Sequence, residues 1–160
     1  MKLALDRGRA EYERCEHCQT DVLRVYDAVR HFDRYYPDFE AWFWQKVVPG
    51  LHDGTRRLET VVRDGELAGL TILKDTDERK VCTLWVADRF VGTGMGIRLL
   101  RDSARSLGSK PLATVPEERI ATLGPALVGL GFELTDTVES AYRPGRREFV
   151  FNGYLRHAVS

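Results

Sequence analysis

The sequence lacks what would mark a membrane-spanning, secreted or nucleic-acid-coating protein. It has no apolar run near the roughly 20 residues needed to cross a bilayer. Its first residues, Met-Lys-Leu-Ala-Leu-Asp-Arg-Gly-Arg, turn charged too early for a secretory signal. It also has no excess of charge, since Lys plus Arg and Asp plus Glu each number 24. Such a balance gives no overall field for nucleic acid or anionic lipid, so neither is expected as the main partner. Cysteine is scarce, and an odd count of three points to a reducing, cytoplasmic setting rather than a disulfide framework. Cys15-Glu16-His17-Cys18 has the spacing of half a zinc site, but no second Cys-x-x-Cys completes it. Only a tertiary accident would bring His31 or Cys82 to it, so ordinary thiols at a strand end are expected, and no metal.

What remains is an ordinary globular chain of 160 residues, 43% apolar and 30% charged. That length predicts one domain over 1–160, burying ~70% of its unfolded surface, with 1–9 as an arm or short edge strand. No internal repeat or linker divides it. Ala10 to Cys15 alternates weakly as a first strand. Thr20 or Asp21 can cap a helix whose apolar positions are Val22, Val25, Tyr26, Val29 and Phe32. A second helix runs from Phe39 to Val47, with Asp38 before it and Pro49-Gly50 as its stop. Trp42 and Trp44 stand two apart on it, so one must face outward or into a cleft.

Leu58 to Arg63 and Glu66 to Leu73 read as strands joined by a type I′ turn at Asp64-Gly65. A polar turn leads into a third strand, Lys80 to Val86. Further on, Pro111 to Val115 is a short buried strand, and Pro116-Glu117-Glu118 opens a helix faced by Ile120, Leu123, Leu127 and Leu130. Pro125 should kink or break that helix. Gly131 to Leu134 and Arg147 to Phe151 are the last strands, with a turn at Tyr142-Arg143-Pro144-Gly145.

The most specific stretch follows the third strand. Gly92, Gly94 and Gly96 alternate, and Ile97, Leu100, Ala104 and Leu107 then recur at helical spacing. A helix start has N–H groups without intrahelical partners and partial positive charge. Glycines before it let the backbone close around phosphate oxygens, so this is a candidate pyrophosphate cradle. It is not a P-loop, which needs Gly-Lys-Ser/Thr, nor the dinucleotide fingerprint, whose third glycine position holds Ile97.

Gly92-Thr93-Gly94-Met95-Gly96-Ile97-Arg98-Leu99-Leu100 resembles the acyl-CoA loop of the GNAT N-acetyltransferases. The resemblance extends through the element order, and Gly131-Phe132 is similar to that family's Gly-Phe pair after the last helix. Val91 departs from it, standing where the family usually has Arg or Gln, with Arg89 two residues earlier. The resemblance implies an α/β (α+β) fold with a central mixed, mostly antiparallel, splayed sheet of about six to seven strands and about four helices. It implies acetyl-CoA as cosubstrate, held by Leu84, Trp85, Val86, Val91, Gly92, Thr93, Gly94, Met95, Gly96 and Ile97. Backbone groups of Leu84 and Val86 would bond the pantetheine arm, and the thioester would face Thr114 and Val115. The first two helices would wall the acceptor site.

The implied reaction is direct transfer of acetyl to a primary amine of a small molecule, peptide or protein. The tyrosine that relatives place four residues before Gly-Phe is Leu127 here. Tyr142 is then the nearest candidate acid, and Glu117, with Glu118, the candidate base. His31 and His52 lie in segments that can border the acceptor site. Two alternatives stay open: an inactive acyl-CoA-binding module, and a toxin-like acetyltransferase of aminoacyl-tRNA using Arg143, Arg146 and Arg147. A homodimer through the C-terminal strands is compatible with the resemblance.

Overall fold

The computed structural model describes residues 16–108 and 110–156, with side chains from residue 22 onward. The proposed N-terminal arm, the strand at Ala10 to Cys15 and Cys15 itself lie outside the described residues. Helix α1 (Glu16–Val29) begins a turn before the expected cap, because no Gly or Pro separates Glu16 from Thr20. Cys18 therefore belongs to a helix and not to a strand end. Val22, Val25 and Val29 form its buried stripe, and a 3-10 segment, Arg30–Arg34, adds Phe32.

The second helical stretch also departs from expectation. Helix α2 (Phe39–Trp42) passes into a π segment, Phe43–Val47, and then into α3 (Val48–Asp53), so Pro49-Gly50 does not end it. The N–H of Val48 bonds the carbonyl of Phe43, five residues back. This widened turn places Pro49 in a first helical turn, where its missing N–H is not needed. The stop is Gly54, in the left-handed region at φ 83°. Phe39, Phe43 and Val47 pack with α1 on one face of the sheet, against Leu58, Leu70 and Ile72.

Strands β1 (Arg56–Arg63) and β2 (Glu66–Asp75) form the expected hairpin. Asp64 and Gly65 have φ of 53° and 76°, the signature of a type I′ turn. Strand β3 (Arg79–Val86) pairs antiparallel with β2. After the glycine loop, α4 (Met95–Leu107) buries Leu99, Leu100, Ser103 and Leu107. Ile97, expected on that face, is instead exposed at the helix's first turn. Gly69 allows α4 to sit close, since a Cβ there would lie 2.8 Å from Leu99 Cδ1. A hydroxyl pair, Thr71 to Ser103 at 2.8 Å, ties α4 to the sheet inside the core.

Strand β4 (Leu112–Pro116) keeps Pro116 as its last residue, so α5 (Ile120–Gly129) opens later than Pro116-Glu117-Glu118 implies. Pro116 stays in the sheet because Glu148 is its partner across the ladder. Helix α5 runs through Pro125 without a break. The residue four before it, Ala121, is exposed, so its carbonyl is open to water. Gly131, at φ 90°, ends α5, with the Phe132 N–H bonded back to Leu127. Gly131-Phe132 is thus a helix stop and not a strand. Strand β5 (Leu134–Glu139) starts just after and pairs with β6 (Arg147–Phe151).

The sheet order is β1-β2-β3-β4-β6-β5, antiparallel except between β3 and β4. Among the described residues it is a six-stranded mixed sheet with helices on both faces. Helices α4 and α5 cover one face through Leu73, Val81, Leu84, Val115 and Phe151. No helix among the described residues is long and apolar enough to cross a membrane.

Candidate active site

The parallel pair in the middle of the sheet is barely a pair. Strands β3 and β4 are in register only at Lys80 with Leu112 and Val81 with Ala113. Beyond that they part, leaving Cys82 to Val86 and Thr114 to Pro116 as the two arms of a fork. Each arm has a backbone edge without a strand partner across the gap, a liability unless something else bonds it. At the base of the fork β3 carries a bulge. Thr83 faces Ile72 and Val81 faces Leu73, so Cys82 has no opposite residue on β2. Such a bulge turns main-chain groups out of the ladder.

The free edge of β3 runs from the bulge to the glycine loop, about 10 Å at strand rise. Gly92 and Gly94 have φ of 81° and 84°, conformations that favour glycine, and Gly94 is the N-cap of α4. A Cβ added at Gly96 would lie 3.6 Å from Val86 Cγ2, so the helix start abuts the end of β3. The N–H groups of Met95, Gly96 and Ile97 are the first of a 13-residue helix and have no intrahelical acceptor.

Two cavities meet in the fork. A narrow one, about 40 Å³, lies between its arms and is lined by Val81, Leu84, Val115, Leu127 and Arg119, among others. A large cleft of about 660 Å³ opens on the helix α2 side, between Trp42, the starts of β1 and β3, and the β5–β6 turn. Tyr36, Cys82, Thr83 and Thr114 line both.

A polar cluster surrounds that junction. The Tyr36 hydroxyl donates to Glu148 Oε1 at 2.7 Å, and Thr114 also bonds the same carboxylate. Glu148 is only 3% exposed, and burial raises its pKa above the usual carboxylate value despite those bonds. Burial, with Glu148 beside it, pushes the Tyr36 phenol well above the ordinary tyrosine range. The edge of Tyr142 meets Tyr36 with ring centroids 5.0 Å apart. Lys80 Nζ donates to the Tyr142 hydroxyl at 3.4 Å.

No family model and no curated protein matches the sequence. Solved structures do. A structure assigned to the GNAT acetyltransferase family, from Desulfovibrio desulfuricans, superposes with a TM-score of 0.67. The match covers 82% of this chain and 91% of that one at 17% identity. A GNAT acetyltransferase from Elizabethkingia anophelis with acetyl-CoA bound matches at a TM-score of 0.52 and 17% identity, over 66% of this chain and 80% of that one. The ribosomal-protein-alanine N-acetyltransferase of Brucella melitensis matches at 0.57 and 16%, over 68% and 74%. This chain has the GNAT fold.

In that fold the residues read from the sequence fall into place unevenly. The cradle, Val91 to Ile97, is a continuous loop and helix start, with Val91 66% exposed. Arg89 points elsewhere, bonding Glu66 at 2.8 Å with Asp64 at 3.5 Å. On β3, the side chains of Leu84 and Val86 pack toward α4 and that of Trp85 toward the other face, so only their backbone can serve the fork. Tyr142 lines the cleft.

Glu117 does not line either cavity. Arg146 at 3.1 Å and Arg147 at 3.3 Å hold it, and those bonds lower its pKa. Arg143 grips Glu118 through two bonds of 2.8 and 2.7 Å, which pulls that carboxyl down to about 2. The same pairs occupy the arginine cluster that a phosphate backbone would need. His31 stacks on Phe32, with its pKa lowered by burial. Neither it nor His52 lines the cleft.

Neither Tyr36 nor Glu148 belongs to a sequence motif. Tyr36 stands in the sequence just before an aromatic-rich helix, where nothing in its spacing sets it apart from a core residue. Glu148 carried a usable signal: in a strand over Arg147–Phe151 it shares a face with Val150, which is fully buried. An acid in phase with a core valine has to be paired or protonated.

Proposed function

We propose that the protein is an N-acetyltransferase that moves the acetyl group of acetyl-CoA directly to a primary amine within a ternary complex. One observation carries this reading: the fork between β3 and β4 joins a glycine-rich helix start to a large cleft. The N–H groups of Met95, Gly96 and Ile97, with the positive end of α4, take the pyrophosphate. Val91, Gly92, Thr93 and Gly94 wrap it closely. The pantetheine amides add to the free edge of β3 at Leu84, Trp85 and Val86 as a further strand would. The thioester then reaches the fork's base, where the bulged main chain at Cys82 and Thr83 supplies N–H groups to its carbonyl oxygen.

The acceptor amine approaches from the cleft, past Tyr36 and Tyr142. Its nitrogen attacks the carbonyl carbon, the C–N bond forms, and the C–S bond breaks. The proton leaving nitrogen passes to the Tyr36 hydroxyl as that group gives its own to Glu148, so no buried charge is left unpartnered. Burial raises the pKa of Glu148, the direction that strengthens it as a base. Tyr142, with the Lys80 ammonium beside its hydroxyl, protonates the departing thiolate. Glu117 is held by two arginines and serves as a clamp between the β4–α5 turn and β6 rather than as base.

The test is amine-dependent release of coenzyme A from acetyl-CoA over a panel of primary amines. Saturable release with formation of the acetylated amine supports the reading. Acetyl-CoA binding without transfer to any amine would leave only a binding module.

A further inference from the structure

The charges on the cleft narrow the acceptor. Its lining holds the cations Lys46, Arg56, Lys74, Lys80, Arg143 and Arg156, against the carboxylates Asp38, Asp77 and Glu78. Half of those cations are already committed. Lys74 pairs with Glu78 at 3.1 Å, and Arg156 with Asp77 and Glu78, both at 3.4 Å. Arg143 is held by Glu118, outside the lining.

Lys46, Arg56 and Lys80 are different. Lys46 is exposed at the cleft and makes no ion pair among the described residues. The Arg56 guanidinium faces the Cys82 thiol at 3.3 Å and lies 5.7 Å from the centroid of Trp42. Among the described residues Lys80 bonds only the Tyr142 hydroxyl, and it lies 5.9 Å from that ring. These partners are uncharged and none of the three cations forms an ion pair among the described residues, although Glu78 on the lining and Glu148 behind it act on Lys80 through space. Glu148 sits behind Tyr36 and Thr114 and does not line it. Asp38, two residues past Tyr36, is the one lining carboxylate without a cation partner among the described residues.

Resting on the acetyltransferase reading, we infer that the acceptor is an amine that also carries a carboxylate or a phosphate. Arg56 and Lys80 grip the anion, Lys46 guides it in, and Trp42 covers the body of the molecule. Asp38 lies on the side where the amine must arrive. A polyamine or other polycation would bring like charge against three unpaired cations and is disfavoured.

Binding to the intact protein tests this directly, by calorimetric titration of matched amines that differ in the anion. The pairs are O-phosphoethanolamine with ethanolamine, and phenylalanine with phenethylamine, with spermidine as the polycation. The anionic member of at least one pair should bind more than about tenfold tighter, and spermidine weakest, as expected of a charge-assisted contact in a cleft. Which pair shows the gap tells phosphate from carboxylate. Arg56→Gln should close most of that gap, and Lys46→Gln, an exposed change that leaves the core intact, should narrow it.

Equal affinities within both pairs, or tighter binding of spermidine, overturn the inference. So does a gap that both variants leave unchanged. Acetyl-CoA binding and coenzyme A release are read in the same samples. If those fail while the anionic amine is still preferred, the transfer reading falls and the anion site stands.

Discussion

Glu148 is the residue on which the proposed chemistry turns, because it is a buried carboxylate held by hydroxyl groups and in no ion pair among the described residues, with Lys80 and Arg143 acting on it only through space. Its pKa is raised by burial, so the folded protein holds that proton more tightly than the unfolded chain does. Its contribution to stability is therefore present below about 4.5, the ordinary glutamate value, and is lost as pH rises through the folded value. Activity runs the other way, since a base must be ionised. The acid limb of kcat/KM should therefore lie above the usual carboxylate range. Glu148→Gln should lower kcat by about 10²–10⁴ and remove that limb, as a pH-rate profile of both proteins would reveal. An unshifted limb in the variant would assign the base elsewhere.

Glu118 shows the opposite electrostatics nearby. Arg143 holds its carboxyl down to about 2, from 4.5. Its stabilising contribution is present above 4.5 and is lost as pH falls toward 2. Urea midpoints across that window should drop less steeply for Glu118→Gln than for the wild type. Since this group is partly exposed, the difference should be modest and should shrink in salt.

At the scale of elements, the glycine loop and the α4 anchor are the parts most open to test. Ser103 is fully buried and shares a hydrogen bond with Thr71, and it also donates to Glu59 at 3.2 Å. Ser103→Ala leaves the Thr71 hydroxyl buried without that partner and should cost about 1–3 kcal/mol, measured by chemical denaturation. Gly69→Val would drive a side chain into Leu99 and the Trp85 carbonyl, lifting α4 from β2. It should cost about 1–3 kcal/mol and weaken acetyl-CoA binding as well, because α4 carries the cradle.

These elements were legible in the sequence to different degrees. The hairpin was readable because Asp-Gly admits two positive φ values in succession. The glycine loop and the helix after it were readable because alternating glycines precede an apolar stripe at helical spacing. The run of helix through Pro49 was not, since a π turn depends on how Phe43 and Val47 pack against α1. The opening of α5 was missed for a related reason. Pro116 is a good first helical residue locally, but pairing with Glu148 keeps it in the sheet. The polar cluster was hardest, as Tyr36, Thr114, Tyr142 and Glu148 come from four separate segments and only the sheet order brings them together.

For the whole molecule, the proposed function rests on a sheet that is incomplete at its centre. Six strands would form an ordinary sheet if β3 and β4 stayed paired; instead they hold register at two positions and then separate. The opened edge of β3 runs from Val86, beside the helix start at Gly96, to Cys82 and Thr83, which line the cleft with Tyr142, and we propose this as the acyl-CoA path. The central claim is that this path carries acetyl-CoA.

Calorimetric binding of acetyl-CoA to the wild type and to Gly96→Glu tests it most directly. Gly96 lies in the helix, and a Cβ there meets only Val86 Cγ2 at 3.6 Å, so the variant should fold. Its carboxylate would stand where the pyrophosphate must sit. Saturable binding to the wild type, weakened more than about tenfold in the variant, is the predicted result. A wild type that does not bind, or a variant that binds equally well, would contradict the account.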